Sequence, residues 1–397
     1  MKKKIKLSFI EIILLVGVPC LILSIVSGSL VYSRVRNNLE IKTTNNKHIN
    51  EFINTYNKLL DEYYEDLDEA KLIDAAIGGM LSYTGDDYTI HMNEDATDAL
   101  NEKLEGEYEG IGVRISMNEA GEIYMYEVFD NSPAKEAGIL VNDILISING
   151  ESVEGKDTEY ASSIIKKATD PKITLVLKRN EETLSFTVER KKLVVPAIKS
   201  SIKEVNGKKI GYLYLETFSS TLDTQVKTTL ISMENEGINS LIIDLRNNTG
   251  GYLTTCTNLV EMFLEKDKLM YSIKSKTEST DYKDTSDEHR TYPIVVLINE
   301  QSASASEILA SALKYSYGAT VVGKTSYGKG KVQTTGKLED GTMIKYTSAR
   351  WFTANGDCID EVGLKPDIEV ELSEEYLNER IEEKDNQLNE AINILAN

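Results

Sequence analysis

Three polar clusters follow apolar runs and hold the residues best able to do chemistry. They are Asp244-Leu245-Arg246-Asn247-Asn248-Thr249-Gly250-Gly251, Asn299-Glu300-Gln301-Ser302-Ala303-Ser304-Ala305-Ser306-Glu307, and Gly323 to Gln333, where Lys329 and Lys331 lie among glycines. A serine that opens a helix just after a buried strand is exposed and sits beside backbone N–H groups with no intrahelical partner. Those donors and the positive helix end can stabilise an oxyanion. Its hydroxyl needs a base, and the chain has only three histidines: His48, His91 and His289. A lysine can serve instead if burial disfavours its charged form. Gln333 stands four residues after Lys329, and in an extended chain the two share a face, so the amide could hold the amine.

The same residues have plainer readings. Ser304 and Glu307 spell S-x-x-E ahead of Ile308-Leu309, which is a capping box. Lysines between glycines are commonly solvated loop charges, and neither cluster spells the G-x-x-x-x-G-K-[ST] of a phosphate-binding loop. Ser302, Ser306 and Lys331 remain fallback choices for nucleophile and base.

The elements that must position these clusters read as an α/β layer domain. Runs 210–218, 240–246, 292–299 and 319–323 read as strands, and 224–236, 253–264 and 303–317 as helices between them. Upstream, 108–190 breaks into short β-type runs separated by Gly, Asn and Pro. Residues 51–99 keep a helical apolar spacing interrupted by the turn chemistry of TGDDYT (84–89), and 374–395 reads as a charged amphipathic helix. The resulting organisation is 1–36 tail and anchor, 37–105 helical region, 106–192 β-rich module, 193–372 α/β core and 373–397 C-terminal helix.

The β-rich module resembles a PDZ domain. Glu109-Gly110-Ile111-Gly112-Val113, the turn-helix Ser132-Pro133-Ala134-Lys135-Glu136-Ala137-Gly138 and the strand from Asn142-Asp143-Ile144-Leu145 stand in that domain's order and spacing. The resemblance implies capture of a peptide C-terminus by strand addition, with Gly110, Ile111, Gly112 and Val113 seating the carboxylate. The later helix and its exit, 162–174, lack the Arg-Gly and Gly-Thr pairs usual there.

From about residue 50 to its end the chain resembles the carboxyl-terminal processing peptidases, or tail-specific proteases. DLRNNTGG (244–251), SASASEI (302–308), VVGKTSYGKGKVQ (321–333), TSARWFTANG (347–356) and GLKPDIEVEL (363–372) carry the resemblance. It implies Ser304 as nucleophile, Lys329 as general base and Gln333 as its orienting group. The oxyanion hole falls to Ala305 with Gly250 or Gly251, the core layering is crotonase-like, and no metal or cofactor is required. Thr249 and Ala354 stand where the family often has proline, and neither removes a reacting group. Two other classes are weighed: a non-catalytic PDZ scaffold, and a crotonase-like acyl-CoA enzyme.

Composition bounds the rest. The 397 residues predict two to three domains, and 41% hydrophobic with 27% charged residues excludes wholesale disorder or a polytopic membrane protein. The net charge of -20 argues against nucleic-acid binding. Residues 1–36 are nevertheless basic, and Ile12–Ser33 is a run of 22 residues without a charge, long enough to span a bilayer. The basic residues before it would stay in the cytoplasm and place the acidic bulk outside. A cleaved signal peptide or a lipidated Cys20 fits less well. Cys256 and Cys358 are expected as two buried thiols rather than a disulfide. Expected partners are proteins with exposed C-terminal tails, the membrane, and a second copy docked through 51–99 and 374–395.

Overall fold

The computed structural model describes residues 46–338 and 341–397. It divides into two compact units, 1–83 and 84–397. In the first, α1 (Lys47–Glu62) and α2 (Glu69–Ser82) are capped by the side chains of Asn46 and Asp68. The helical stretch expected over 51–99 is interrupted at the 84–89 turn as its sequence predicts, and also at Tyr63–Asp68, where Asp68 caps a second helix. The apolar run 12–33 lies outside the described residues. Among those described, no helix is long and apolar enough to cross a membrane.

The second unit opens with β1 (Ile90–Met92) and α3 (Glu94–Glu105), whose C-terminus turns at Gly106. A β-rich module follows: β2 (Glu107–Gly110), β3 (Val113–Met117), β4 (Ile123–Val128), α4 (Pro133–Glu136), β5 (Ile144–Ile148), β6 (Glu151–Ser152), α5 (Thr158–Lys167), β7 (Lys172–Arg179), β8 (Glu182–Glu189) and β9 (Lys191–Val194). Its antiparallel sheet runs β3-β4-β5-β7-β8, so β3 is an edge strand, and α5 packs beside it. Alternate residues of β7, Ile173, Leu175 and Leu177, face a core with Ile111, Met125 and Ile148. The exit of α5 lacks a glycine cap, and Arg190 replaces it by donating to the carbonyls of Ile165, Lys166 and Ala168 at 3.0, 3.0 and 2.7 Å.

The core domain contains β10 (Ile198–Val205), β11 (Lys208–Leu215), α6 (Leu222–Asn235), β12 (Ser240–Asp244), α7 (Leu253–Glu261), β13 (Leu269–Ser275), β14 (Ser279–Lys283), β15 (Ile294–Ile298), α8 (Ala305–Ala312), β16 (Thr320–Gly323), β17 (Lys331–Lys337), β18 (Met343–Thr353), β19 (Ile368–Glu369), α9 (Glu374–Glu379) and α10 (Asn386–Ala396). One sheet runs β10-β11-β12-β15-β16-β19, parallel except for β10. Both faces of β12 and β15 are buried, as their unbroken apolar sequences require. Helices α6, α7 and α8 cover one face. A second sheet, which the sequence reading did not separate, pairs long β18 with β17 on one side and with β1 and β13 on the other.

The C-terminal segment departs from expectation. It is not one free helix: α9 ends at Arg380, and α10 lays Leu388, Ala391 and Leu395 onto Ile210, Ile242, Val295 and Val322. Its apolar stripe closes the sheet's other face and is not available for a second copy. Asp385 caps α10 through Leu388 N–H at 3.0 Å and pairs with buried Arg246 at 2.8 Å, which also grips Asp244 at 2.6 Å. The two cysteines are unpaired, with Cys256 buried and Cys358 exposed, so the expectation of two buried thiols holds for the first only.

Arg246→Met strands two buried carboxylates, Asp244 and Asp385. Loss of one partner from such a pair costs about 3–5 kcal/mol. The denaturant midpoint should fall accordingly with an unchanged slope, whereas a loss below about 1 kcal/mol would show that the cluster does not hold α10.

Candidate active site

Ser304 lies at the turn between β15 and α8 with φ 58° and ψ -117°, a conformation that serine adopts only under strong constraint. The constraint comes from both sides. Ala303 N–H donates to the Asn248 carbonyl at 3.0 Å, and Ser304 N–H donates to Glu307 Oε2 at 2.8 Å. The flanking serines are buried and engaged elsewhere. Ser302 is fully buried and donates to the Leu245 carbonyl, and Ser306 is fully buried and donates to the Asn248 carbonyl, both at 2.8 Å. Ser304 alone of the three lines an open cavity of about 550 Å³.

Glu307 does more than cap α8. Its fully buried carboxylate accepts from Ser304 N–H (2.8 Å), Lys329 N–H (3.0 Å), Gly328 N–H (2.7 Å) and Ser326 Oγ (2.5 Å). One side chain thus ties the serine turn to the lysine loop. Burial pushes this carboxyl up, against four donors that favour its ionised form. Trp351 supplies a second clamp: its indole N–H donates to the Lys329 carbonyl at 2.8 Å. In the sequence Glu307 reads as a cap, and Trp351 stands only within the TSARWFTANG motif. The S-x-x-E signal was present, but its second set of partners lies about twenty residues away.

Lys329 lines the same cavity. Burial first, and the positive charge of Lys345 second, hold its ammonium below the ordinary lysine range, while Glu307 and Asp86 pull the other way. Its Nζ lies 4.8 Å from the centre of the Tyr88 ring. Lys331 is a different kind of lysine. It pairs with Asp86 at 3.2 Å, and that contact raises its pKa. Partial burial pushes Asp86 up, but hydroxyl donors on Thr347 (2.6 Å) and Thr89 (2.7 Å) together with Lys331 outweigh it and hold Asp86 at about 2.

Gln333 also lines the cavity, though not by the expected route. Lys329 precedes β17, and the β17–β18 register shifts between Val332 and Gln333, leaving Ser348 as an extra residue. The extra residue lies on β18, and Lys329 stands before β17 begins, so strand alternation does not reach from Gln333 to Lys329. The Gln333 amide makes a long 3.4 Å bond to Thr347 Oγ rather than one to Lys329.

Gly250 approaches the serine turn closely, and Gly251 approaches the Phe218 backbone. A Cβ on Gly250, at φ +98°, would stand 2.9 Å from Ser304 Cβ, and one on Gly251 would stand 2.4 Å from the Phe218 carbonyl oxygen. Asn248 Oδ1 takes the Gly250 N–H at 2.9 Å. Gly251 lines the cavity together with Ala305, the first residue of α8. The cavity therefore brings together a hydroxyl, an amine that holds its proton less tightly than an ordinary lysine, and the backbone of Gly250, Gly251 and Ala305, the kinds of group that acyl transfer uses.

In the β-rich module, Gly110 ends β2 and Ile111 is buried. At Gly112 φ is +87°, and a Cβ would meet Ser132 Cβ at 2.2 Å. The Ile111 and Gly112 carbonyls accept from Ala134 and Phe129 N–H, both at 2.9 Å, and Val113 begins the edge strand β3. Arg114, next along, forks onto Glu216 of the core at 2.9 and 3.0 Å.

Comparisons with known proteins agree with this layout. Family models match at residues 209–370 (peptidase family S41), 110–189 (PDZ domain) and 26–96 (the N-terminal domain of the activating protease CtpB). The carboxy-terminal processing protease CtpA of Bacillus subtilis is 32% identical over 374 residues, covering 94% of this chain and 78% of that protein. CtpB of the same organism is 36% identical over 318 residues, covering 79% of this chain and 66% of its own length. Among solved structures, a photosystem II D1 C-terminal processing protease shares the fold, with a TM-score of 0.51 and 23% identity over 87% of this chain and 90% of that one.

Glu307→Gln tests the clasp. An amide has one acceptor oxygen and turns an NH₂ toward backbone donors, so buried N–H groups lose partners at about 1–3 kcal/mol. The variant should fold with a lowered melting temperature and hydrolyse a peptide substrate at least about 10²-fold more slowly. Wild-type turnover would reduce Glu307 to a helix cap.

Proposed function

The chain belongs to the carboxy-terminal processing proteases of peptidase family S41, and from that premise we propose that it is a serine endopeptidase with Ser304 as nucleophile and Lys329 as general base. Neutral Lys329 takes the Ser304 proton as Oγ bonds to the scissile carbonyl carbon. The oxyanion is received by the N–H groups of Ala305 and Gly251. Lysine returns the proton to the leaving amine as the C–N bond breaks, and the acyl-enzyme is then hydrolysed by water deprotonated at the same amine. Gln333 is assigned to steadying the amine, since its 3.4 Å bond to Thr347 is weak enough to exchange. The observation that carries this reading is the placement of a lysine with a depressed pKa in one cavity with the only cavity-facing serine of its cluster.

The β-rich module is proposed to capture protein C-termini on β3 and report occupancy to the core. The bidentate Arg114–Glu216 contact supports such coupling. Glu216 lies two residues before Phe218, whose N–H donates to the Gly250 carbonyl at 3.1 Å and whose carbonyl accepts from Tyr252 N–H at 2.8 Å. A ligand that prefers the open arrangement shifts the population toward it.

Two wider assignments rest on the first unit and the segment before it. Residues 12–33 are proposed as an uncleaved anchor with the protease outside the cytoplasm, which alkaline extraction of membranes checks. The half-exposed Ile49, Phe52, Leu59 and Leu60 of α1 support a homodimer contact, which sedimentation checks.

Ser304→Ala and Lys329→Arg should each lower kcat/KM on an unstructured peptide at least about 10³-fold, while Lys331→Arg stays within about 3-fold. Equal tolerance of both lysine changes would remove Lys329 as base. Activity needs the neutral amine, so kcat/KM should rise with pH through a midpoint below the ordinary lysine value of 10.5.

A peptide with a free apolar C-terminus should stimulate cleavage of a separate reporter, and its amidated twin should not. Arg114→Ala should make activity indifferent to both. Stimulation by the amide as strong as by the acid would remove carboxylate capture from the mechanism.

A further inference from the structure

The chain is strongly acidic, yet the walls of the Ser304 cavity carry four lysines: Lys103, Lys329, Lys331 and Lys345. Each has a different account. Lys329 is the proposed base, and Lys331 is neutralised by Asp86 at 3.2 Å. Lys103 lies exposed in the last turn of α3, where a cation complements the helix end. Lys345 has none of these roles. It is half-buried on β18, two residues after buried Met343, and both line the cavity. No carboxylate among the described residues pairs with it. A cation with no carboxylate partner among the described residues, held beside a second amine, gains when an anion arrives.

We propose that Lys345 is a specificity-determining residue that receives a carboxylate of the polypeptide being cut, next to apolar side chains held by Met343, Ile308 and Trp351. The inference rests on the serine-endopeptidase reading and deepens it. The carboxylate has two chemical sources, an Asp or Glu side chain near the scissile bond and the free α-carboxylate of a tail cut close to its end. Lys345 also acts on the base. The groups facing Lys329 are Lys345 from β18, Glu307 from α8, Asp86 and Tyr88 from the turn before β1, and Lys331 from β17 across the same Tyr88 ring. Of these, Lys345 is the cation that lowers the proton affinity of Lys329.

The test uses the full chain and Lys345→Met with two pairs of otherwise identical peptides. One pair places Glu or Gln beside the scissile bond and carries an amidated end. The other ends a few residues after the scissile bond as free acid or amide. Wild type should prefer the carboxylate member of at least one pair by about 10-fold or more in kcat/KM, the size of one charged hydrogen bond. Lys345→Met should erase that preference while still cutting the neutral peptides, and its acid limb in kcat/KM should move to higher pH. Loss of the Glu preference assigns a side-chain carboxylate, and loss of the free-acid preference assigns the tail end. The proposal is overturned if wild type shows no preference, or if the preference survives in Lys345→Met, which for the free acid would assign it to the loop 110–113. Cleavage of the neutral peptides by wild type but not by Ser304→Ala keeps the endopeptidase reading standing in either case.

Discussion

A single buried carboxylate organises this site. Glu307 accepts four hydrogen bonds at once, two of them from the backbone of the residues proposed to react. A carboxylate removed from water is costly unless its lone pairs are filled, so its donors are held to one geometry. Ser304 then occupies a strained backbone region that a free turn would leave, and the Gly328–Lys329 segment is drawn to the same point. The indole of Trp351 fixes the far side of that segment. Strain, loop position and the meeting of two chain regions follow from one desolvated anion.

The electrostatics of the cavity are arranged by burial and by pairing. Lys329 and Lys331 are two residues apart and shift in opposite directions, because one is desolvated beside a like charge and the other holds Asp86. The Asp86 carboxylate in turn reaches Thr347 and, through it, Gln333. The TGDDYT turn, which reads in the sequence as an interruption of a helix, is thus part of the wall that separates a base from a structural cation.

Layering explains how the core tolerates so open a cleft. The parallel sheet is covered on one face by α6, α7 and α8 and on the other by α10, which the Arg246–Asp385 pair fastens. The second sheet carries Lys329's neighbours and adds Met270, Tyr271 and Trp351 to the core on the helix-covered face. Arg114 of the β-rich module forks onto Glu216 of the core, which lies two residues before the Phe218 that packs against the glycine pair.

The sequence by itself determined the α/β alternation of the core, the order of the modules and the identities of Ser304, Lys329 and the two glycines as candidates. Those signals are local: apolar runs, turn residues and short motifs. The family resemblance singled out Ser304, and the tertiary structure adds what no motif contains: Ser302 and Ser306 give their hydroxyls to carbonyls from a segment about sixty residues away. It also decided that Gly250's amide is taken by Asn248, that Lys331 is neutralised from the 84–89 turn, and that Lys329 stands ahead of the strand that holds Gln333. The C-terminal stripe looked free for the same reason, since a periodic pattern shows that a face must be covered but not by what. Protonation state, hydrogen-bond occupancy and the partner of an apolar face depend on groups remote in the chain, and no local pattern encodes them.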